Sequence, residues 1–162
     1  MGTGNLLSEE LKNQYGYQVI HDKTKYDLIN GKIDRSLAYN YALNGIRKIL
    51  QENPKIRVVI DLHRDGVAGK RKDVVEIDGK KTAQIMFFNG LSRGKNGEIA
   101  YLKNRNRTGN LAFSLQLKCK AMNRYPGLTK PIYLKGYRYN LHMRERSLLI
   151  ELGNQNNTCA EI

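Results

Sequence analysis

Glu151 and His63 are the residues of this chain whose types and positions best suit chemistry, because each interrupts or ends an apolar run. Glu151 sits inside Leu148-Leu149-Ile150-Glu151-Leu152-Gly153, a segment that otherwise reads as a buried strand. An isolated carboxylate leaves water at such cost that it takes up a proton instead. A catalytic role is the leading explanation, and a buried pairing with Arg64 or another arginine is the structural alternative. His63 follows Val58-Val59-Ile60-Asp61-Leu62, at the carboxyl end of a second apolar run and beside Arg64 and Asp65. Imidazole is the commonest metal ligand near neutral pH, and a hydrolytic zinc takes three protein groups and leaves the fourth position to water. The alternative is a strand-end histidine held by Asp65. Together the two residues suggest metal-assisted hydrolysis, in which a carboxylate carries the proton of an acidified water to the leaving group.

The other candidates are weaker. His21 follows the short run 17–20, and His142 lies in a polar segment between Tyr139 and Arg144. Either could approach the same mouth as a metal ligand, but second-layer donors, substrate contacts and plain surface groups are the more common roles for such histidines. No HExxH or HxxEH helix motif is present, and neither a phosphate loop nor a GxSxG elbow. Cys119 and Cys159 lack CxxC spacing, and Cys119 reads as helix core. Tyrosines interleaved with basic residues over 133–139 fit an exposed edge strand better than a base-stacking platform.

These residues need a scaffold, and the periodicity supplies one. Leu6, Leu7, Glu10, Leu11 and Gln14 describe a helix ended by Gly16, followed by a strand over 17–20. Asp34 is placed as the N-cap of a second helix carrying Leu37, Tyr41, Ala42, Ile46, Ile49 and Leu50, stopped by Pro54, and 56–62 reads as a buried strand. That is a strand–helix–strand unit, which implies parallel pairing and reactive groups beyond the carboxyl ends of the strands. After a basic loop over 66–72, residues 74–77 and 82–88 flank an Asp78-Gly79 turn as a hairpin. A loop over 90–107, a helix over 111–125, and strands at 132–134 and 148–152 complete the reading. The fold class is α/β, with a mixed, mainly parallel sheet.

Length and charge bound the rest. The 162 residues suit one domain, and 28 Lys plus Arg against 15 Asp plus Glu give a formal charge of +13. Such a charge predicts attraction to a polyanion, whether nucleic acid, an anionic cell wall or a membrane surface. No stretch approaches the roughly 20 apolar residues of a membrane span, and no secretion signal opens the chain. Thr158 and Glu161 have capping-box spacing with almost no chain left to form the helix they announce. The sequence also opens on a helix, so it reads as the middle of a larger domain.

Several segments resemble the stage II sporulation protein P family: Val59-Ile60-Asp61-Leu62-His63-Arg64-Asp65, the Tyr125-Pro126-Gly127-Leu128 turn, Tyr139-Asn140, and Leu148 to Gly153 followed by Asn157-Thr158. The resemblance runs from about Leu6 to the end. It implies a zinc-dependent N-acetylmuramoyl-L-alanine amidase, which cuts the bond between the glycan lactyl group and the first alanine of the stem peptide. By that pattern His63 is a zinc ligand and Glu151 the catalytic carboxylate. Arg64 and His142 are the candidate substrate contacts; relatives carry glutamine after Tyr-Asn where this chain has Leu141 and then His142, which could alternatively stand in for a lost ligand.

The implied fold is a three-layer amidase-like domain with helices on both faces of the sheet, here a single partial domain lacking its first strand and last helix. Its other two zinc ligands would come from a His-Thr-His-Thr-x-Glu type segment that this sequence does not contain, so weak activity at best is expected of the chain alone. The implied setting is the cell envelope during engulfment, with peptidoglycan as substrate. A lytic transglycosylase and a membrane-anchored complex are the implied partners, and no nucleic acid is expected. A basic nucleic-acid-binding module or nuclease is the main rival, and a catalytically dead wall-binding remnant a third reading.

Overall fold

The computed structural model describes residues 2–29, 31–34 and 37–162. The chain divides into two compact units, Met1–Asn44 and Gly45–Ile162. The first contains α1 (Thr3–Asn13) and a minimal antiparallel pair, β1 (Leu28–Ile29) with β2 (Lys32–Ile33). Gly16, at φ +67°, ends α1 as expected: its N–H donates to the Lys12 carbonyl and the Tyr17 N–H to the Leu11 carbonyl. The strand expected over 17–20 does not form. Tyr17 and Ile20 are exposed, and no strand among the described residues pairs with this segment, so its β propensity has no ladder to join. The strand–helix–strand unit is therefore corrected to helix–strand.

Helix α2 (Ala38–Glu52) begins four residues after Asp34, which is not its N-cap; residues 35 and 36 between them lie outside the described residues. The second unit follows with β3 (Val58–Asp65), β4 (Val74–Ile77), β5 (Lys80–Ala83), β6 (Ile85–Gly90), β7 (Arg93–Gly94), β8 (Gly97–Glu98), α3 (Arg107–Arg124), β9 (Tyr133–Lys135) and β10 (Arg146–Asn154). Two short 3-10 turns, Ala100–Leu102 and Leu141–Met143, interrupt the loops.

The main sheet has the order β3-β10-β6-β9. The β3–β10 and β6–β9 pairs are parallel and the β10–β6 pair antiparallel, a mixed, mainly parallel α/β arrangement as expected. Only β10 and β6 are paired on both sides, and they supply the fully buried residues Leu148, Leu149 and Phe87. β3 is an edge strand. Val58 and Ile60 are 40% and 37% exposed, so the buried strand expected from its apolar composition is corrected to a half-covered edge. β9 is the other edge, so the edge-strand reading of 133–139 holds for Tyr133–Lys135 and is corrected beyond it, where the chain leaves the sheet and Tyr139 takes a positive φ.

Helix α3 lies on one face of the sheet, fixed by a buried polar chain. Asn89 donates to the Ser114 hydroxyl at 2.7 Å, Ser114 to the Asn110 carbonyl, and the Asn110 amide to the carbonyls of Arg144 and Glu145. With Asn110 and Ser114 facing the sheet, Cys119, nine residues past Asn110, is rotated about 180° away. It is exposed, which corrects its reading as core. The Asp78-Gly79 turn has both residues at positive φ, 50° and 74°, the geometry that a two-residue hairpin favours. Its second arm is β5, and after Gln84 the chain passes into the main sheet as β6.

Candidate active site at the carboxyl ends of the parallel strands

The parallel register sets Glu151 directly beside His63. Neighbouring strands lie about 4.8 Å apart and in-register side chains share a face, so the two functional groups, 88 positions apart in sequence, project to the same side near the carboxyl ends of β3 and β10. The alternation of β3 brings Asp61 and Asp65 to that side and sends Arg64 to the other. Asp61 Oδ1 lies 2.7 Å from His63 Nε2. Lys130 Nζ stands 2.8 Å from Asp73 and 3.8 Å from Asp65.

The electrostatics follow from these placements. The hydrogen bond to Asp61 raises the His63 pKa above its usual value, partial burial opposes the rise, and the charges of Asp61 and Glu151 add to it. Burial raises the Glu151 carboxyl; His63 and Lys130 oppose that rise and Asp65 and Asp61 add to it. Glu151 Oε2 is buried with no hydrogen-bond partner among the described residues. A carboxylate with one oxygen unsatisfied in a covered site is poised to exchange a proton.

Glycine at 153 makes this placement possible. Its φ is +60°, and a Cβ there would come within 2.7 Å of Asn157 Oδ1 and 2.9 Å of the Ala83 Cβ. The β3–β10 register shifts between Glu151 and Asn154, so the strand bulges just beyond the carboxylate and turns into the Asn-rich loop. Arg64 braces that loop. Its guanidinium donates to the carbonyls of Asn154, at 3.1 and 2.7 Å, and Asn157. Among the described residues neither it nor another arginine pairs with Glu151, and its fork is spent on backbone where a substrate contact was expected. His63 is held by Asp61 where Asp65 was the expected partner.

His142 does not join this mouth. It lies in the 3-10 turn before β10, and two residues on, Arg144 donates to the Ile56 carbonyl ahead of β3 at 3.0 Å. That is the opposite end of the sheet, since Arg146 and Glu151 are separated by five strand residues, roughly 17 Å. His21 belongs to the first unit, where its imidazole lies against Gly4 of α1. Asp61, Lys130 and Asp73 were not singled out from the sequence. Only the alternation of β3 could have flagged Asp61; nothing local flags the other two.

Among the described residues no group of three His, Cys, Asp or Glu side chains is placed to hold a metal ion. His63 offers one imidazole whose Nε2 faces Asp61, so the donor set of these residues does not fit a complete zinc site.

The sequence profile of the stage II sporulation protein P family matches residues 1–162. The chain belongs to this family. Stage II sporulation protein P of Bacillus subtilis (strain 168) is 24% identical over 165 aligned positions, covering 98% of this chain and 38% of that protein. The chain thus spans well under half the length of the curated relative it matches. No solved structure matches. Membership ties the chain to sporulation, and no helix among the described residues is long and apolar enough to cross a membrane.

Proposed function

We propose that this chain is the proton-transfer part of a peptidoglycan amidase, acting on the bond between the lactyl carbonyl and the first stem-peptide alanine. The observation that carries the reading is Glu151: a carboxyl raised by burial, one oxygen unsatisfied, in register with His63 at the carboxyl ends of two parallel strands. In hydrolysis water adds to the lactyl carbonyl carbon and the C–N bond breaks, leaving a lactyl carboxylate and a free alanine amine. Glu151 accepts the proton of the attacking water and returns it to the leaving nitrogen, a role that a raised pKa suits because the group must be both base and acid near neutral pH. Asp61 fixes the orientation of the His63 ring.

Zinc, as the resemblance implies, would use His63 as one ligand and would need two more from beyond the described residues. The positive charge of the chain favours an anionic wall as its setting, with the cell envelope as the place of action. Purified sacculi incubated with zinc and the chain should release material carrying new N-terminal alanine, weakly for the chain alone. Glu151→Gln should lower that release by about 10²–10⁴-fold, the usual contribution of a positioned acid–base group. Alanine release equal in wild type and Glu151→Gln would overturn the assignment.

A further inference from the structure

Lys130 reaches across the strand that carries Glu151. The register sets His63, Glu151 and Met86 in one row across β3, β10 and β6. Lys130, whose N–H donates to the Ile85 carbonyl at 2.8 Å, stands on the far flank of β6. Thr129 before it turns to α3, where its hydroxyl accepts from Lys118 at 3.0 Å, so Lys130 turns to the Glu151 face. Its ammonium meets Asp73 at 2.8 Å and, on the opposite side of β10, Asp65 at 3.8 Å.

Those two aspartates are the ends of the basic 66–72 loop, between β3 and β4. One ammonium between them draws the ends together into an Ω-loop, a compact surface loop of the kind that often carries function. Residues after β10 hold its body. Gln155 pairs reciprocally with Val67: its carbonyl accepts from the Val67 N–H at 2.9 Å and its amide donates to the Val67 carbonyl. The Asn156 amide donates to the carbonyls of Gly69 and Arg71, at 3.0 and 2.9 Å. A loop with neither helix nor strand is thus fixed at its neck and along its backbone, beyond the carboxyl ends of the two strands that bear His63 and Glu151.

The same network leaves one cation over. Arg71 pairs with Asp73 at 3.1 Å and Lys72 with Glu161 at 3.0 Å. Lys70 is exposed, and no carboxylate among the described residues pairs with it. So many bonds to an exposed loop remove the ordering cost that a ligand would otherwise meet.

We propose that the 66–72 loop is a preformed wall of the Glu151 mouth that binds a peptide carboxylate through Lys70, with Lys130 as the positioning residue that keeps the wall closed. The choice of ligand rests on the amidase reading, in which a peptide runs on from the bond held at Glu151 and ends in a carboxylate.

The test titrates the Glu151→Gln chain, so that binding is read without turnover, with a short N-acetylmuramoyl-L-alanyl peptide as its free C-terminal acid or its carboxamide, followed by NMR. The acid should bind about two- to fivefold tighter than the amide, the worth of one exposed ion pair. Lys70→Gln should abolish that difference and leave the affinity for the amide as it was. Lys130→Met should weaken both peptides at least about threefold, since binding must then order the loop, and should speed hydrogen exchange at the Val67 N–H. Lys130→Arg, which keeps a cation between Asp65 and Asp73, should restore both. Alanine release from sacculi judges Glu151 as the proton carrier separately, so either reading can fail while the other stands. Equal affinity for acid and amide, no binding of either, a Lys70→Gln loss shared by both peptides, or unchanged affinity in folded Lys130→Met would overturn the proposal.

Discussion

The two ends of the main sheet treat a histidine in opposite ways. At the carboxyl ends of β3 and β10, His63 stands among Asp61, Asp65 and Glu151, and its pKa rises through the Asp61 hydrogen bond. Before β10, His142 stands near Arg138 and Arg47, and burial with those charges drives its pKa down to about 4. Burial disfavours the imidazolium at both sites; at His63 the Asp61 hydrogen bond overcomes it, whereas at His142 it leads and the arginines add to it. The acidic groups Asp61, Asp65 and Glu151 stand together where proton transfer is proposed, and Arg138 and Arg47 act on the histidine at the other end.

The contrast can be broken first at its basic end. Gly90→Ala should overlap the Tyr137 and Arg138 backbone and destabilise the fold by about 3 kcal/mol or more, because backbone cannot step aside as a flexible side chain can. Chemical denaturation of the variant checks this. A loss under about 0.5 kcal/mol, the scale of a neutral surface change, would show that the turn is not pinned.

The next effect is on pH. His142 is about 4 in the folded chain against 6.5 unfolded, so between these values the unfolded state holds a proton that the folded state refuses. The His142 contribution to stability should be level above about pH 6.5, fall by at most about 1.4 kcal/mol per pH unit below it, and stop falling near pH 4. His142→Asn should flatten that decline in urea titrations collected across the range. An unchanged slope would place the histidine outside its basic surroundings.

At the acidic end the sign reverses. Glu151 has a folded pKa above its unfolded value, so its ionised form opposes folding at neutral pH, and that cost disappears as the pH falls through the folded pKa. Glu151→Gln should stabilise the chain by about 1 kcal/mol at pH 7, with the gain shrinking in acid, as happens when a strained functional group is relieved. Calorimetry of both proteins at neutral and acidic pH measures it; destabilisation by Gln at pH 7 would mean the carboxylate is satisfied. The smallest expected change is at Asp61. Asp61→Asn should lower the His63 pKa with little effect on folding, because both side chains are partly open to water, 42% and 35% exposed. An NMR titration of the His63 ring reads it, and an unmoved pKa would remove Asp61 as its holder.

Much of this site was legible in the sequence because carboxylates and imidazoles are costly in apolar strands, and that cost marks Glu151 and His63 without any knowledge of pairing. The helices α2 and α3, the Asp78-Gly79 hairpin and the strands around both residues were legible for the same local reason, periodicity and turn chemistry. Where local signals misled, a missing partner was the cause. Residues 17–20 have strand composition but no ladder; 56–62 have core composition but sit on an edge; Cys119 lies on the wrong side of a helix whose orientation is set by Asn89, Ser114 and Asn110.

Sequence alone therefore determined which residues could not be ordinary: a glutamate in a core strand, a histidine near the end of another, and a glycine placed to turn the chain after them. Tertiary structure alone decided their company. Parallel register joined Glu151 to His63, sent Arg64 to brace the Asn154–Asn157 loop, and left His142 at the far end among arginines. The physical reason is range: desolvation cost and backbone geometry are written within a few residues, whereas hydrogen-bond partners and charge neighbours come from segments tens of residues apart that only the sheet brings together.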